Sequence, residues 1–139
     1  MVLDKRTGRW VAHDGLGIAP RIFHCTWSSP SLTTVNGQPR ILFAGGDGVV
    51  YGFDPYRPGN PSSEPSILTN PWRFDFDPSG PKTNVGSFLN NRREGPSDIY
   101  GMPVALGDRM YVAGGGDWFW GKNEASVRCI RTTGQGDFS

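Results

Sequence analysis

The sequence predicts an all-β protein built from a repeated strand–turn–strand unit. Arg40-Ile-Leu-Phe-Ala-Gly-Gly46 recurs as Arg109-Met-Tyr-Val-Ala-Gly-Gly115, and a Pro-containing apolar segment precedes each copy. The 139 residues include 20 Gly and 12 Pro, so turns are frequent and long helices are unfavourable. Recurrence of one short supersecondary unit is typical of repeat architectures.

The first element is predicted at residues 1–13, as the end of one strand, a tight turn and the start of another strand. Leu3-Asp4-x-x-Thr7-Gly8 supplies the turn, because Asp and Thr side chains cap local amides and Gly tolerates positive φ. Trp10 and Ala12 then share one face of the second strand, since strand side chains alternate.

A complete four-stranded antiparallel unit is predicted at residues 25–76, with strands near 30–35, 40–44, 49–54 and 67–76. Asn36-Gly37 is a strong hairpin signal, and the glycine-rich stretch at 45–48 supplies the next turn. Alternation in the last strand places Trp72, Phe74 and Phe76 on one face.

Residues 77–98 are predicted to be a long irregular loop, of a length that indicates a functional segment or one wrapped on a scaffold. Most of another unit follows at 99–139, with strands at 100–106, 109–114 and 125–131 and a frayed tail. The apolar residues of the repeated strands are predicted to form a core between the units. They are Ile41, Phe43, Val50, Met110, Val112 and Ile130.

The turn motif and its repeats resemble those of the PQQ-like, quinoprotein-type β-propeller proteins. That family carries Asp-x-x-Thr-Gly followed by a Trp, for which Ala12 stands here. Phe53-Asp54 and Ile130-Arg131-Thr-Thr133-Gly134 occupy the corresponding places in the later units. The segments 24–31 and 93–98 are similar to the inner-strand entries of a bacterial subgroup with no assigned enzyme activity.

The resemblance implies four-stranded blades, of which residues 1–13, 25–76 and 99–139 supply the end of one, a whole one and most of a third. About two blades cannot close a ring of about four to eight, so we expect an incomplete propeller that is either a fragment of a longer parent protein or a truncated reading frame. The remaining blades of the parent are then the first expected partner, and other envelope proteins are the second. The family also implies a periplasmic or cell-envelope location, although no signal peptide is visible.

Charge and cysteine content narrow the function classes. Fourteen Lys and Arg against 13 Asp and Glu leave a net charge of +1, so neither nucleic acid nor an anionic membrane surface is an expected partner. No apolar run is long enough for a transmembrane helix. Cys25 and Cys129 lack metal or redox spacing and are predicted to be buried thiols; a disulfide between them would require export and proximity.

Candidate ligand-binding residues cluster in two places. Asp117, Trp118 and Trp120 interrupt the hairpin of the third unit, either as a packed aromatic plug or as a stacking surface for a ring or sugar. Arg93 and Glu94 form either an anion-binding turn or a solvated turn that pairs its own charges. The acidic stretch from Asp75 resembles half of a calcium loop, but the closing carboxylate is replaced by Gly86.

Two functions remain open from the sequence. The first is a non-catalytic scaffold that binds proteins or ligands, since no catalytic residue or metal set is recognisable and no cofactor is expected. The second is part of a pyrroloquinoline-quinone-dependent oxidoreductase, in which the full-length parent alone would hold the quinone and calcium.

Overall fold

A computed structural model shows an all-β chain of three separate sheets, with no closed barrel or ring among the described residues. The structure describes residues 1–59, 64–69, 72–116 and 122–133, together with the backbone of 136–137. Over these residues no helix is long and apolar enough to cross a membrane. The helical elements described are two 3-10 turns, Ala19–Arg21 and Val85–Phe88.

The strands in chain order are β1 Val2–Leu3, β2 Trp10–His13, β3 Ser31–Val35, β4 Gln38–Ala44, β5 Val49–Phe53, β6 Ser66–Ile67, β7 Trp72–Asp75, β8 Asp98–Ile99, β9 Val104–Leu106, β10 Arg109–Gly115, β11 Ala125–Arg131 and β12 Gly136–Asp137.

The first sheet confirms the predicted hairpin at the start of the chain. β1 pairs antiparallel with β2, and β6 joins the other edge of β2 in parallel. Asp4 Oδ1 accepts hydrogen bonds from the amides of Arg6 and Thr7, both at 2.9 Å, as expected for an Asp-initiated turn. Ala12 is buried but Trp10 is exposed, and the indole Nε1 of Trp10 donates to the Ala12 carbonyl at 2.9 Å.

The second sheet contains the predicted antiparallel four-stranded unit in the order β3-β4-β5-β7, with β12 added in parallel at the edge of β7. Asn36 and Gly37 both have positive φ, at 50° and 74°, which is the geometry that a two-residue hairpin turn requires. The predicted last strand at 67–76 is wrong in its extent. Ser66 and Ile67 pair with β2 of the first sheet, and the strand of this unit begins at Trp72.

The third sheet has β10 at its centre, with β11 on one side and β9 and β8 on the other. The predicted strand at 100–106 is wrong in its extent, because β9 covers only Val104–Leu106 and residues 100–103 are not in a strand; β8 precedes them at Asp98–Ile99. The tail was expected to be frayed throughout, but Gly136 and Asp137 pair with β7.

The second and third sheets place the two sequence copies in the same strand register. Ile41 of β4 pairs with Leu32 and Phe53 on its two sides. Met110 of β10, at the same position of the repeated stretch, pairs with Ala105 and Ile130. The first and second sheets are also extended in the same way. β6 pairs in parallel with β2 of the first sheet, and β12 pairs in parallel with β7 of the second.

The main core lies between the second and third sheets, and it corrects part of the predicted core. Its buried members are Leu42, Ala44, Val50, Trp72, Phe76, Ile99, Met110 and Val112, with Phe74, Ala105 and Ile130 packed against them. Ile41 and Phe43 were predicted to belong here. They instead lie partly buried on the opposite face of the second sheet, against Ile18, Val49, Tyr51 and Phe53.

The two sheets therefore pack face to back rather than as mirror partners. The second sheet contributes Leu42 and Ala44 to the shared core, whereas the third contributes Met110 and Val112, which correspond to Ile41 and Phe43. The face of the third sheet that corresponds to Leu42 and Ala44 points away from the core. We call this face, with Tyr111 and Ala113 at its centre, the open face.

Candidate binding surface

The residues singled out from the sequence do not form one site in the described part of the chain. Asp117, Trp118 and Trp120 lie outside the described residues. Arg93 and Glu94 are exposed in a turn at one end of the 77–98 loop, where Glu94 Oε2 accepts a hydrogen bond from Asn91 Nδ2 at 2.9 Å. Both readings of that turn therefore remain predictions.

The open face of the third sheet differs from the corresponding face of the second sheet in its exposure to solvent. Val50 pairs with Ala44 in the second sheet, and Val127 pairs with Ala113 in the third. Val50 has no exposed surface, whereas Val127 is 69% exposed. The same position is therefore core in the second sheet and surface in the third. The third sheet covers the face of the second sheet that carries Val50, whereas no described residue covers the open face that carries Val127.

Apolar side chains continue across the open face from strand to strand. Val104 pairs with Tyr111, and Leu106 lies opposite Arg109 on the same side of the sheet. All of these side chains are exposed. A continuous apolar surface of this kind usually marks a site of interaction with another protein or with a ligand. Sequence reasoning missed it because the strands of the third unit look as apolar as those of the buried second unit.

Cys129 lies on the open face, which corrects the prediction that both cysteines are buried. Cys129 is exposed and Cys25 is partly buried, and both are free thiols. The guanidinium Nη1 of Arg109 donates to Cys129 Sγ at 3.7 Å. A hydrogen bond with Cys129 raises the pKa of Tyr111 above its usual range, so these three side chains form one polar strip on an otherwise apolar surface.

A groove of about 480 Å³ borders the open face beside the glycine-rich end of β10. Tyr100 and Val127 are among its lining residues, along with the backbone of Gly114 and Gly115. The Tyr100 ring lies 6.4 Å from the ring of Trp27, which is itself 6.1 Å from His24. Exposed aromatic rings at the rim of a groove offer faces on which flat groups or sugars can stack.

A partly buried polar triad lies on the opposite face of the second sheet. Tyr51 donates its hydroxyl proton to Asp47 Oδ2 at 2.6 Å, and Arg21 Nε approaches the same oxygen at 3.1 Å. Burial raises the pKa of Tyr51 far above its usual range, and the hydrogen bond to Asp47 adds to this shift. Arg21 also donates to the Leu16 carbonyl at 3.0 Å, so the triad holds residues 16–21 over the sheet.

A second polar cluster ties the long loop to the residue that follows the aromatic insertion. Lys122 is buried, and its Nζ donates to the Gly95 carbonyl at 2.7 Å and lies 3.4 Å from Asp77 Oδ2. Ser97 Oγ donates to the same Asp77 oxygen at 2.7 Å. Burial alone would raise the pKa of Asp77, but donors from Ser79, Ser97 and Lys122 outweigh it and hold that pKa well below its usual range.

The carboxylates of the half calcium loop are engaged by lysine and serine side chains of the protein. Asp75 Oδ1 lies 2.9 Å from Lys82 Nζ, and Asp77 Oδ1 accepts from Ser79 Oγ at 2.6 Å. In the described part of the chain, no three His, Cys, Asp or Glu side chains are grouped so as to hold a metal ion. The contacts of Asp77 with Ser97 and Lys122 therefore link the 77–98 loop to the residues that precede β11.

No known protein family, curated protein or solved structure matches this chain. The function must therefore be inferred from the geometry of the described residues and from the sequence motifs.

Proposed function

We propose that this chain is a β-propeller-type segment that acts as a non-catalytic binding scaffold in the bacterial envelope. The observation that carries the proposal is the face-to-back packing of two sheets that share one strand register. Leu42 and Ala44 of the second sheet face Met110 and Val112 of the third, and the corresponding forward face of the third sheet remains open.

Face-to-back packing has a direct consequence for binding. When the forward face of one unit packs against the back of the next unit, the last unit still presents a free forward face. Two sheets packed as mirror partners would instead bury equivalent faces against each other. The open face is therefore suited to receive another sheet that carries apolar residues at the positions of Met110 and Val112.

The envelope location and the propeller architecture rest on the motifs of the turns. Leu3-Asp4-x-x-Thr7-Gly8 forms the expected Asp-initiated turn, with Thr7 Oγ1 also bonded to Asp4 Oδ1 at 3.0 Å. The later units repeat this motif only in part, with Asp54 and Arg131 at the position of Asp4. The scaffold function itself depends on the open face and not on these turns.

Sedimentation of the purified chain tests the open face as a docking surface. A second copy is the only other sheet protein in such a sample, so we expect association that increases with concentration. Val127→Asp should weaken the association constant at least about tenfold, because docking would bury an unpaired carboxylate. Leu3→Asp is the matched control: Leu3 is 52% exposed but lies on the first sheet, and its replacement should leave association unchanged.

A monomer at every concentration would overturn the proposed docking surface. Equal weakening by Val127→Asp and Leu3→Asp would overturn it as well, because association would then not depend on the open face. Circular dichroism of each variant establishes that a change in sedimentation does not arise from unfolding.

A further inference from the structure

The outer edge of β11 lacks the neighbour that its counterpart in the second sheet has. β5 is paired on one side with β4 and on the other with β7. β11 is paired with β10, and no other strand of the described residues joins it. A seven-residue strand with an unpaired edge presents a row of backbone donors and acceptors to an incoming strand.

The β5–β7 pairing shows what kind of strand fits such an edge. Trp72 lies opposite Gly52, and Phe74 lies opposite Val50. Both aromatic side chains reach the main core from β7. By the shared register, Cys129 and Val127 of β11 stand where Gly52 and Val50 stand in β5. Aromatic residues at alternate positions of an added strand would therefore cover Cys129 and Val127 on the open face.

One position distinguishes the two edges by charge. Arg73 of β7 lies opposite Tyr51, and the residue of β11 at the Tyr51 position is Arg128. Its guanidinium carbon lies 5.6 Å from the centre of the Phe76 ring, so the charge is held beside the edge. An acidic residue opposite Arg128 would be favourable and an arginine would be repelled, since directly opposed cross-strand charges interact.

A groove lies beside the second half of β11. A groove of about 500 Å³ lies between β7 and β11, lined by Phe74 and Phe76 on one side and by residues 128–131 on the other. Side chains of an added strand that point away from the open face would enter this groove beside Arg128.

We propose that the outer edge of β11 accepts an extended segment of a partner protein as an additional antiparallel strand. The segment carries aromatic residues at alternate positions and an acidic residue between them. This inference deepens the proposed scaffold function, on which it rests, by naming the chemistry of the partner. Strand addition of this type takes its affinity from main-chain hydrogen bonds and its specificity from alternate side chains.

Two capped synthetic peptides test the inference on the intact chain. One has Trp-Asp-Phe-Asp at its centre, and the control has Trp-Arg-Phe-Asp, which is the sequence of β7 itself. We expect the acidic peptide to bind at least about threefold more tightly in fluorescence anisotropy. We also expect it to slow hydrogen exchange of alternate amides within residues 125–131.

Charge reversal then assigns the contact to one side chain. Arg128→Glu should invert the preference, so that the arginine peptide binds more tightly. Arg131→Glu, three residues along the same strand, is the matched control and should leave the preference as it is. Equal affinity of both peptides for the wild type, or protection confined to amides outside β11, would overturn the proposal.

The outcomes separate this inference from the proposed function. Peptide binding at β11 in a chain that stays monomeric would support the strand acceptor and contradict the docking of sheets on the open face. Association that Val127→Asp weakens, without any protection of β11 by the peptides, would support the open face and contradict the strand acceptor.

Discussion

Gly48 shows how one residue permits a close approach between the two matched sheets. Its φ is +73°, and a Cβ atom at this position would lie 2.6 Å from the Ser97 carbonyl oxygen. Any side chain would therefore meet both an unfavourable backbone conformation and a fixed backbone atom. The β4–β5 turn can reach the loop before β8 only because residue 48 has no side chain.

We predict that Gly48→Ala destabilises the protein more than Gly107→Ala does. Gly107 also has positive φ, +59°, but nothing lies within 4 Å of its potential Cβ. Both variants should lose about 1–2 kcal/mol from the left-handed conformation. Gly48→Ala should lose about 1–3 kcal/mol more from the clash with Ser97. Urea denaturation of the two variants measures the difference, and equal losses would contradict the close approach.

Asp77 makes stability depend on pH in a defined direction. Its folded-state pKa lies below the ordinary value of 3.8, so the folded protein holds this carboxylate ionised more strongly than the unfolded chain does. The contribution is present in full above the unfolded pKa and is lost as pH falls through the folded one. We expect the melting temperature of the wild type to fall on acidification below about pH 4.

Asp77→Asn provides the comparison for that prediction. The variant should melt at a lower temperature at neutral pH, because the buried Lys122 loses the carboxylate of Asp77 and keeps only the more distant one of Glu124, at 3.9 Å. It should also lose less of its remaining stability on acidification than the wild type does. Parallel pH profiles for the two proteins would show that Asp77 does not carry the dependence.

At the scale of elements, β4 is the strand whose two faces the sequence cannot distinguish. Residues 41–44 are all apolar, because one face packs on the third sheet and the other on residues 16–23. Strict alternation appears only where one face of a strand meets water. The prediction of Ile41 and Phe43 as core between the sheets was therefore one residue out of phase, and Leu42 and Ala44 occupy that core.

Alanine substitutions in β4 measure the difference between its faces. Leu42 is fully buried, so Leu42→Ala should cost about 2–5 kcal/mol through lost burial and a cavity. Ile41 is only partly buried, so Ile41→Ala should cost clearly less. Denaturant unfolding of the two variants gives both values, and a larger loss for Ile41→Ala would contradict the assignment of the main core.

The strands, turns and sheet order of the second unit were predictable because local signals act there. Asn36-Gly37 specifies its hairpin, and the alternation at Trp72, Phe74 and Phe76 correctly predicted a shared face. Contacts between residues far apart in sequence carry no such signal. Arg21 meets Asp47 and Tyr51 across 26 and 30 residues, and Lys122 meets Asp77 across 45. The open face belongs to the same class, since it depends on which sheet covers which.

At the scale of the whole molecule, a ligand titration separates scaffold from oxidoreductase. We expect no saturable quenching of tryptophan fluorescence by pyrroloquinoline quinone with calcium. Asp75 and Asp77 are held by Lys82, serine hydroxyls and Lys122, and the closing carboxylate of the loop is absent. Saturable quenching at micromolar ligand that is lost in Trp118→Ala would favour the oxidoreductase and place the ligand at the aromatic insertion.

The two parallel strand additions have a consequence for synthesis on the ribosome. β2 is not covered on its outer edge until residues 66–67 have emerged, and β7 waits until residues 136–137 have done so. A nascent chain in which residues 72–75 have emerged but residues 136–137 have not therefore carries an exposed edge of β7. Premature termination would leave such an edge permanently free for pairing with other chains. The growing polypeptide therefore exposes this edge of β7 to co-translational aggregation from the release of β7 until the release of β12.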